Sequence, residues 1–113
     1  MPGCIFCKIL KREMPARIVY EDEGCIAFHD INPQAPVHLL VIPRKHFASA
    51  LEADEADESV MGHLLRVAAQ LARQNQIVEG YRVVVNTGAG AGQSVFHLHL
   101  HVLGGRSFRW PPG

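Results

Sequence analysis

The segment Gln93-Ser94-Val95-Phe96-His97-Leu98-His99-Leu100-His101-Val102-Leu103 constrains this chain more than any other stretch. From His97 onward it alternates histidine with an aliphatic residue, and period-2 alternation predicts a β-strand with successive side chains on opposite faces. His97, His99 and His101 then share one face, while Leu98, Leu100 and Val102 share the other, which can enter a core. Three histidines in a row suggest a metal first. Residues i and i+4 of a strand, however, lie about 13 Å apart, whereas each ligand nitrogen sits about 2 Å from a zinc ion. Neighbouring His-x-His residues could share an ion, but His97 and His101 could not easily do so. Neutral imidazole is also a nucleophile and proton carrier near neutral pH, and its charged form binds phosphate. Immediately upstream runs Asn86-Thr87-Gly88-Ala89-Gly90-Ala91-Gly92-Gln93-Ser94. Its glycines can leave backbone N–H groups bare, as an anion nest requires. Glycine-rich loop, hydroxyl and histidine row together point to phosphoryl-transfer chemistry, against the plainer reading of a hairpin loop with surface histidines.

A length of 113 residues suits one domain spanning 1–113. Eleven basic residues balance eleven acidic ones, so no charge excess favours nucleic acid or an anionic membrane as partner. No apolar run reaches the roughly 20 residues that span a bilayer, and the N-terminus shows no signal-peptide pattern. These features predict a soluble, cytoplasmic protein. Three cysteines, an odd count, argue against a secreted disulfide framework.

Along the chain, Ile5, Phe6, Ile9 and Leu10 have helical spacing, so a short helix is expected, ended by Pro15. Cys4 and Cys7 form a CxxC pair with three readings: half of a zinc site, a redox pair, or two small core residues. Arg17 to Glu21 and Cys25 to Phe28 read as two strands joined by a turn at Asp22-Glu23-Gly24. The loop His29 to Pro36 carries Asp30, either a turn former or a carboxylate for a ribose diol, as in dinucleotide sites. His38 to Pro43 is a near-continuous apolar run suited to a central strand, with His38 and His46 near its ends. Arg44-Lys45 reads as a solvated pair. Leu51 to Gln76 is the one long helix, with a solvated acidic first turn and a core stripe of Val60, Met61, Leu64, Val67, Ala68 and Leu71. His63 reads as a boundary residue, Cys25 as a buried hydrophobe, and Gly80 as the stop. Tyr81 to Thr87 is a strand forming a hairpin with the histidine segment across the glycine loop. The tail Gly104 to Gly113 is too proline-rich for regular structure.

His97-Leu98-His99-Leu100-His101-Val102-Leu103 resembles the His-x-His-x-His-x-x signature of the histidine triad superfamily. The similarity extends to Phe28-His29-Asp30-Ile31-Asn32-Pro33-Gln34-Ala35-Pro36, His38-Leu39-Leu40-Val41-Ile42-Pro43-Arg44-Lys45-His46, Gly92-Gln93-Ser94-Val95 and Trp110-Pro111-Pro112-Gly113. It is closer to the histidine triad nucleotide-binding (HINT) branch than to the dinucleoside-triphosphate hydrolase branch. The resemblance implies an α+β fold, with a five-stranded antiparallel sheet and one long and one short helix. It also implies a homodimer whose tail reaches toward the partner's site. The implied activity is hydrolysis of nucleoside 5′-phosphoramidates of the AMP-amine or AMP-lysine type. His99 would be the nucleophile, forming a nucleotidyl-histidine intermediate. His101, Asn86, Gly92 and Ser94 would hold the phosphate, Gln93 would be a further nucleotide contact, His97 and His38 would support the histidine row, and Asp30 would bind the ribose. Phe6, Ile9, Met14, Ile31 and Leu40 would form the slot for a purine base. Some members bind zinc through Cys-x-x-Cys and two histidines, and Cys4, Cys7, His46 and His97 match that pattern. Such a zinc would be structural, with no cofactor required for the chemistry.

Two other functions fit the same residues. One is a zinc hydrolase with metal-bound water as nucleophile. The other is a nucleotide-binding regulatory or scaffold protein with weak or vestigial activity.

Overall fold

The computed structural model describes residues 2–113. Its elements, in order, are α1 (Ile5–Leu10), β1 (Ile18–Glu21), β2 (Cys25–His29), β3 (Val37–Pro43), α2 (Glu58–Gln74), β4 (Tyr81–Val84) and β5 (Leu100–Gly104), with single 3₁₀ turns at Ala50–Glu52, Glu55–Asp57 and Ala89–Ala91. The strands form one antiparallel sheet in the order β1-β2-β3-β5-β4. This is the expected α+β fold.

Alternation along the strands builds two separate cores. Cys25 and Ala27 of β2, Leu39 and Val41 of β3, and Leu98, Leu100 and Val102 pack with Leu64, Val67, Ala68 and Leu71 of α2. The expected helix stripe thus meets the aliphatic half of the histidine segment. Each such Leu or Val contributes about 1.5–3 kcal/mol on full burial. On the opposite face Ile26, Phe28, Leu40 and Ile42 pack with Phe6 and Ile9 of α1. The histidines share this α1 face. Cys25 is fully buried, and burial pushes its thiol up to about 12.

Several boundaries differ from the sequence reading. α1 ends at Leu10, well before Pro15, because Arg12 turns left-handed (φ 63°). Arg12 N–H then reaches Ile9 O at 3.1 Å and Glu13 N–H reaches Lys8 O at 2.9 Å, which closes the helix end. α2, expected to run to Gln76, ends at Gln74 and closes in the same way: Gln76 turns left-handed (φ 59°), with Ile77 N–H on Ala72 O. Its start is shorter too. Asp54 and Asp57 cap each other's backbone over the second 3₁₀ turn, so regular helix begins only at Glu58. Asp57 is not solvated: its side chain is 8% exposed and accepts a 2.9 Å hydrogen bond from Lys45. His63 is more than a boundary residue, since it pairs with Asp22 at 2.6 Å and ties α2 to the β1–β2 turn. Burial alone would raise the Asp22 carboxyl, but bonds from Tyr20, His63 and the Gly24 and Cys25 amides hold it far below the usual carboxylate range.

The largest correction concerns the histidine strand. Ladder pairing covers only Leu100–Gly104, so His97 and His99 lie before β5. Residues 93–98 instead run beside the segment after β3. Gln93 donates to Ala48 O and Val95 O, and Leu98 N–H donates to Phe47 O. The alternation of faces survives without the ladder.

Candidate active site

His99 sits in the middle of the row and is 7% exposed. Its Nδ1 donates to the backbone oxygen of His97 at 2.7 Å. A proton on Nδ1 leaves Nε2 with a free lone pair. The ring lines a cavity of about 330 Å³, together with Ser94 and His101. Phe6, Ile9, Met14, Ile31 and Leu40 all line the same cavity, so every residue expected at the base slot converges there. Ile31 is fully exposed and forms its rim. Phe28, His29 and Val95 also line the cavity. Phe28 meets the edge of Phe6 at 5.4 Å between ring centres. The period-2 pattern that puts Leu40 on this face would have revealed Phe28 as well.

The outer histidines divide into two groups. On one side, the backbone N–H of Gln34 donates to His38 Nδ1 at 3.0 Å. His38 is therefore neutral, with its proton on Nε2. That proton points at His101 Nδ1, 2.9 Å away. His101 in turn holds its own proton on Nε2. Asp30 Oδ2 stands 3.4 Å from His38 Nε2 and 4.0 Å from His101 Nδ1, while Oδ1 caps a turn at Asn32 N–H. Asp30 is thus a turn former through Oδ1, while Oδ2 is turned toward the two imidazoles. Burial lowers the pKa of His38, with Asp30 opposing. Burial, followed by His99 and His38, lowers His101 to about 4.

On the other side, His97 is fully buried and its Nε2 donates to Pro43 O at 2.9 Å. Its Nδ1 lone pair faces His46 Nδ1 at 3.0 Å, Cys4 Sγ at 3.4 Å and Cys7 Sγ at 3.6 Å. Cys7 Sγ lies 3.4 Å from His46 Nδ1. A zinc tetrahedron with ordinary Zn–S and Zn–N bonds has S···N edges of about 3.5 Å and N···N edges of about 3.3 Å. The four donors fit that ion, and the Pro43 carbonyl fixes the ligating tautomer of His97. Burial, and the neighbouring Cys4 sulfur, raise the Cys7 thiol. A divalent cation would offset the charge of two thiolates there.

The glycine loop departs from expectation. Gly88 (φ 88°) and Gly92 (φ 95°) need positive φ, and the turn between them uses its amides internally. Ala91 and Gln93 N–H donate to Gly88 O, Gly92 N–H donates to Ala89 O, and Gly88 N–H donates to Gln93 Oε1. Those four amides are not a bare nest. Gln93, expected among the nucleotide contacts, is 4% exposed, and its amide side chain is wholly spent on the loop, Ala48 and Val95. It is a clamp for the loop. Asn86 lies next to Gly92, 4.0 Å from where a Cβ would stand. Neither residue lines the cavity; Ser94 does.

An antiparallel sheet that presents an imidazole with a fixed tautomer to an apolar cavity, beside a hydroxyl, defines a class of small α+β proteins with a histidine-row site. The comparisons make the class specific. The HIT domain family matches residues 11–108, and the chain belongs to that family. An uncharacterized HIT-like protein of Synechococcus elongatus is 56% identical over 109 residues, covering 96% of each chain. A solved HIT family hydrolase from Legionella pneumophila Philadelphia 1 superposes with a TM-score of 0.96 at 48% identity, over 98% of this chain and 100% of that one. A HIT family hydrolase from Clostridium thermocellum Cth-393 gives 0.94 at 47% identity, covering 96% of both chains. Among the described residues no helix is long and apolar enough to cross a membrane.

Proposed function

We propose that this chain hydrolyses nucleoside 5′-phosphoramidates through a covalent nucleotidyl-His99 intermediate, as a member of the HINT branch. The observation that carries the reading is the His99 ring, locked by the His97 carbonyl with Nε2 unprotonated, on the wall of an apolar cavity sized for a base. A purine nucleoside fits the slot of Phe6, Ile9, Met14 and Leu40, with its ribose toward Asp30. Nε2 attacks the α-phosphorus and the P–N bond breaks. The leaving nitrogen keeps the bonding pair and takes up a proton as amine. Water then attacks the phosphorus, the P–Nε2 bond breaks, and AMP and neutral His99 are released with one proton. Dividing the displacement into two steps is what a neutral imidazole offers. His101 Nε2–H and the Ser94 hydroxyl would meet the charge on the phosphoryl oxygens.

Cys4, Cys7, His46 and His97 would hold a structural zinc. Bound there, the ion would pin α1 to the sheet and fix the His97 carbonyl that orients His99. All four donors are protein groups, so no position remains for a reactive water, which favours the covalent histidine over a zinc hydrolase. A homodimer with a nucleotide-bound site and the exposed Trp110 tail directed at the partner completes the proposal.

Mass spectrometry of enzyme quenched during turnover of adenosine 5′-phosphoramidate tests the reading. An adenylyl adduct on the peptide carrying His99 is expected. Turnover without an adduct, together with activity that vanishes in folded, metal-stripped protein and returns with zinc, would overturn it. Nucleotide binding without turnover would favour the scaffold reading.

A further inference from the structure

The loop that leads into β3 carries both Asp30 and the backbone N–H that meets His38. Among the described residues, the hydrogen bonds of residues 31–36 stay between that loop and its two ends, Asp30 and His38, with one exception. Arg106 Nε donates to Gln34 O at 2.9 Å, and Gln34 is the residue whose N–H holds His38 Nδ1. Arg106 follows Gly105, which turns at φ 90°. A Cβ at Gly105 would stand 2.9 Å from Pro36 Cβ, so the turn after β5 lies directly against the loop. The guanidinium is itself held. It lies over the Phe108 ring, 4.3 Å from the centre, and its Nη1 donates to Ser107 O at 3.0 Å. Arg82 of β4 lies over the same ring at 5.0 Å and donates to Arg109 O at 2.8 Å, which ties the tail to the sheet.

We infer that Arg106 is a positioning residue for the histidine row: it anchors Gln34, and through Gln34 it sets the proton direction along His38 and His101. This role rests on the row acting in phosphoryl transfer and adds a residue remote from the cavity to it. The proton of a neutral imidazole follows the hydrogen bond its other nitrogen makes. With the Gln34 amide in place, His38 carries its proton on Nε2 and aims it at His101 Nδ1, 2.9 Å away. Asp30 Oδ2, 3.4 Å from His38 Nε2, favours the same tautomer and rides on the same loop. Without the amide, His38 can carry its proton on Nδ1 instead. His38 Nε2 would then accept and His101 would donate from Nδ1. His101 Nε2 would present a lone pair where the phosphoryl oxygens need a donor. The pair gains and loses no proton in this exchange; each proton changes only its ring nitrogen.

Heteronuclear NMR of the histidine ring nitrogens tests the role independently of turnover. In wild type, His38 should show a protonated Nε2 and a bare Nδ1. Arg106→Met removes the donor but keeps an apolar stem against Phe108, and it should move both His38 nitrogen shifts toward a tautomer average. Its kcat for adenosine 5′-phosphoramidate should fall about three- to tenfold. The same change made beside His38→Ala should cost less than about twofold, because the link is already cut. Arg106→Lys keeps an N–H donor and should recover most of the loss. Arg106 is exposed, and circular dichroism of both variants shows that they fold. Unchanged His38 shifts in Arg106→Met, or a kcat loss that persists in full beside His38→Ala, would overturn the role. No turnover by wild type would overturn the phosphoramidate reading, while the NMR comparison would still decide whether Arg106 sets the His38 tautomer.

Discussion

The two ends of the histidine row contain the same residue type but have opposite surroundings. At one end His97 meets His46 and two thiols, with lone pairs turned inward on a common point. At the other end His101 meets His38, a backbone amide and the Asp30 carboxylate, in an order that passes one proton direction along the pair. Burial lowers both His97 and His101 to about 4. The shift is therefore no guide to role. What separates them is the partner of the second ring nitrogen: a carbonyl leaves His97 Nδ1 with a lone pair that could bind a metal, and an imidazole N–H leaves His101 with its proton on Nε2. His99 lies between and depends on both, through the His97 carbonyl and its 5.0 Å contact with the His101 ring.

The contrast can be broken experimentally. The largest expected effect is at the centre. His99→Ala should lower turnover of an AMP-amine by about 10³-fold or more while AMP still binds by calorimetry; near wild-type turnover would refute the nucleophile. Next comes the end with Cys4, Cys7 and His46. Cys7→Ser should take zinc, measured by elemental analysis, from one per chain toward none and lower the unfolding midpoint, whereas His38→Ala should leave zinc content unchanged. Loss of zinc in both variants would erase the distinction. At the donor end, His38→Ala should reduce kcat by about 10–100-fold through the lost orientation of His101, with stability changed much less. The smallest effect is on pH. His101 titrates below its unfolded value of about 6.5, so the unfolded chain binds more protons between the two values. Stability is complete above about pH 6.5 and declines as pH falls toward about 4. Urea midpoints across that range should fall less in His101→Gln than in wild type.

Much of this was legible beforehand because period and composition are local. Alternation put Leu98, Leu100 and Val102 against α2, as the 3.6-residue stripe of Leu64, Val67 and Leu71 required. The base-slot residues were implied by the family resemblance; Phe6, Ile9 and Leu40 meet on the α1 face of the sheet, while Met14 and Ile31 reach the cavity from loops. The end of α1 was missed because Arg12 adopts a left-handed φ that residue type does not announce, and the start of α2 because the Asp54 and Asp57 caps hold a 3₁₀ turn ahead of it, whereas the end of α2 fell within two residues of the expected Gln76. Gln93 was misread because its neighbours, Ala48 O and Val95 O, are backbone atoms brought in by the fold.

The sequence by itself determined the two-faced sheet, the histidine row and its glycine loop, since these follow from the order of side chains along one extended chain. Only the tertiary structure decided which nitrogen of each histidine carries the proton, because that depends on the Pro43 carbonyl, the Gln34 amide and the His97 carbonyl. Backbone groups have no letter in the sequence, and their positions exist only once the strands have paired.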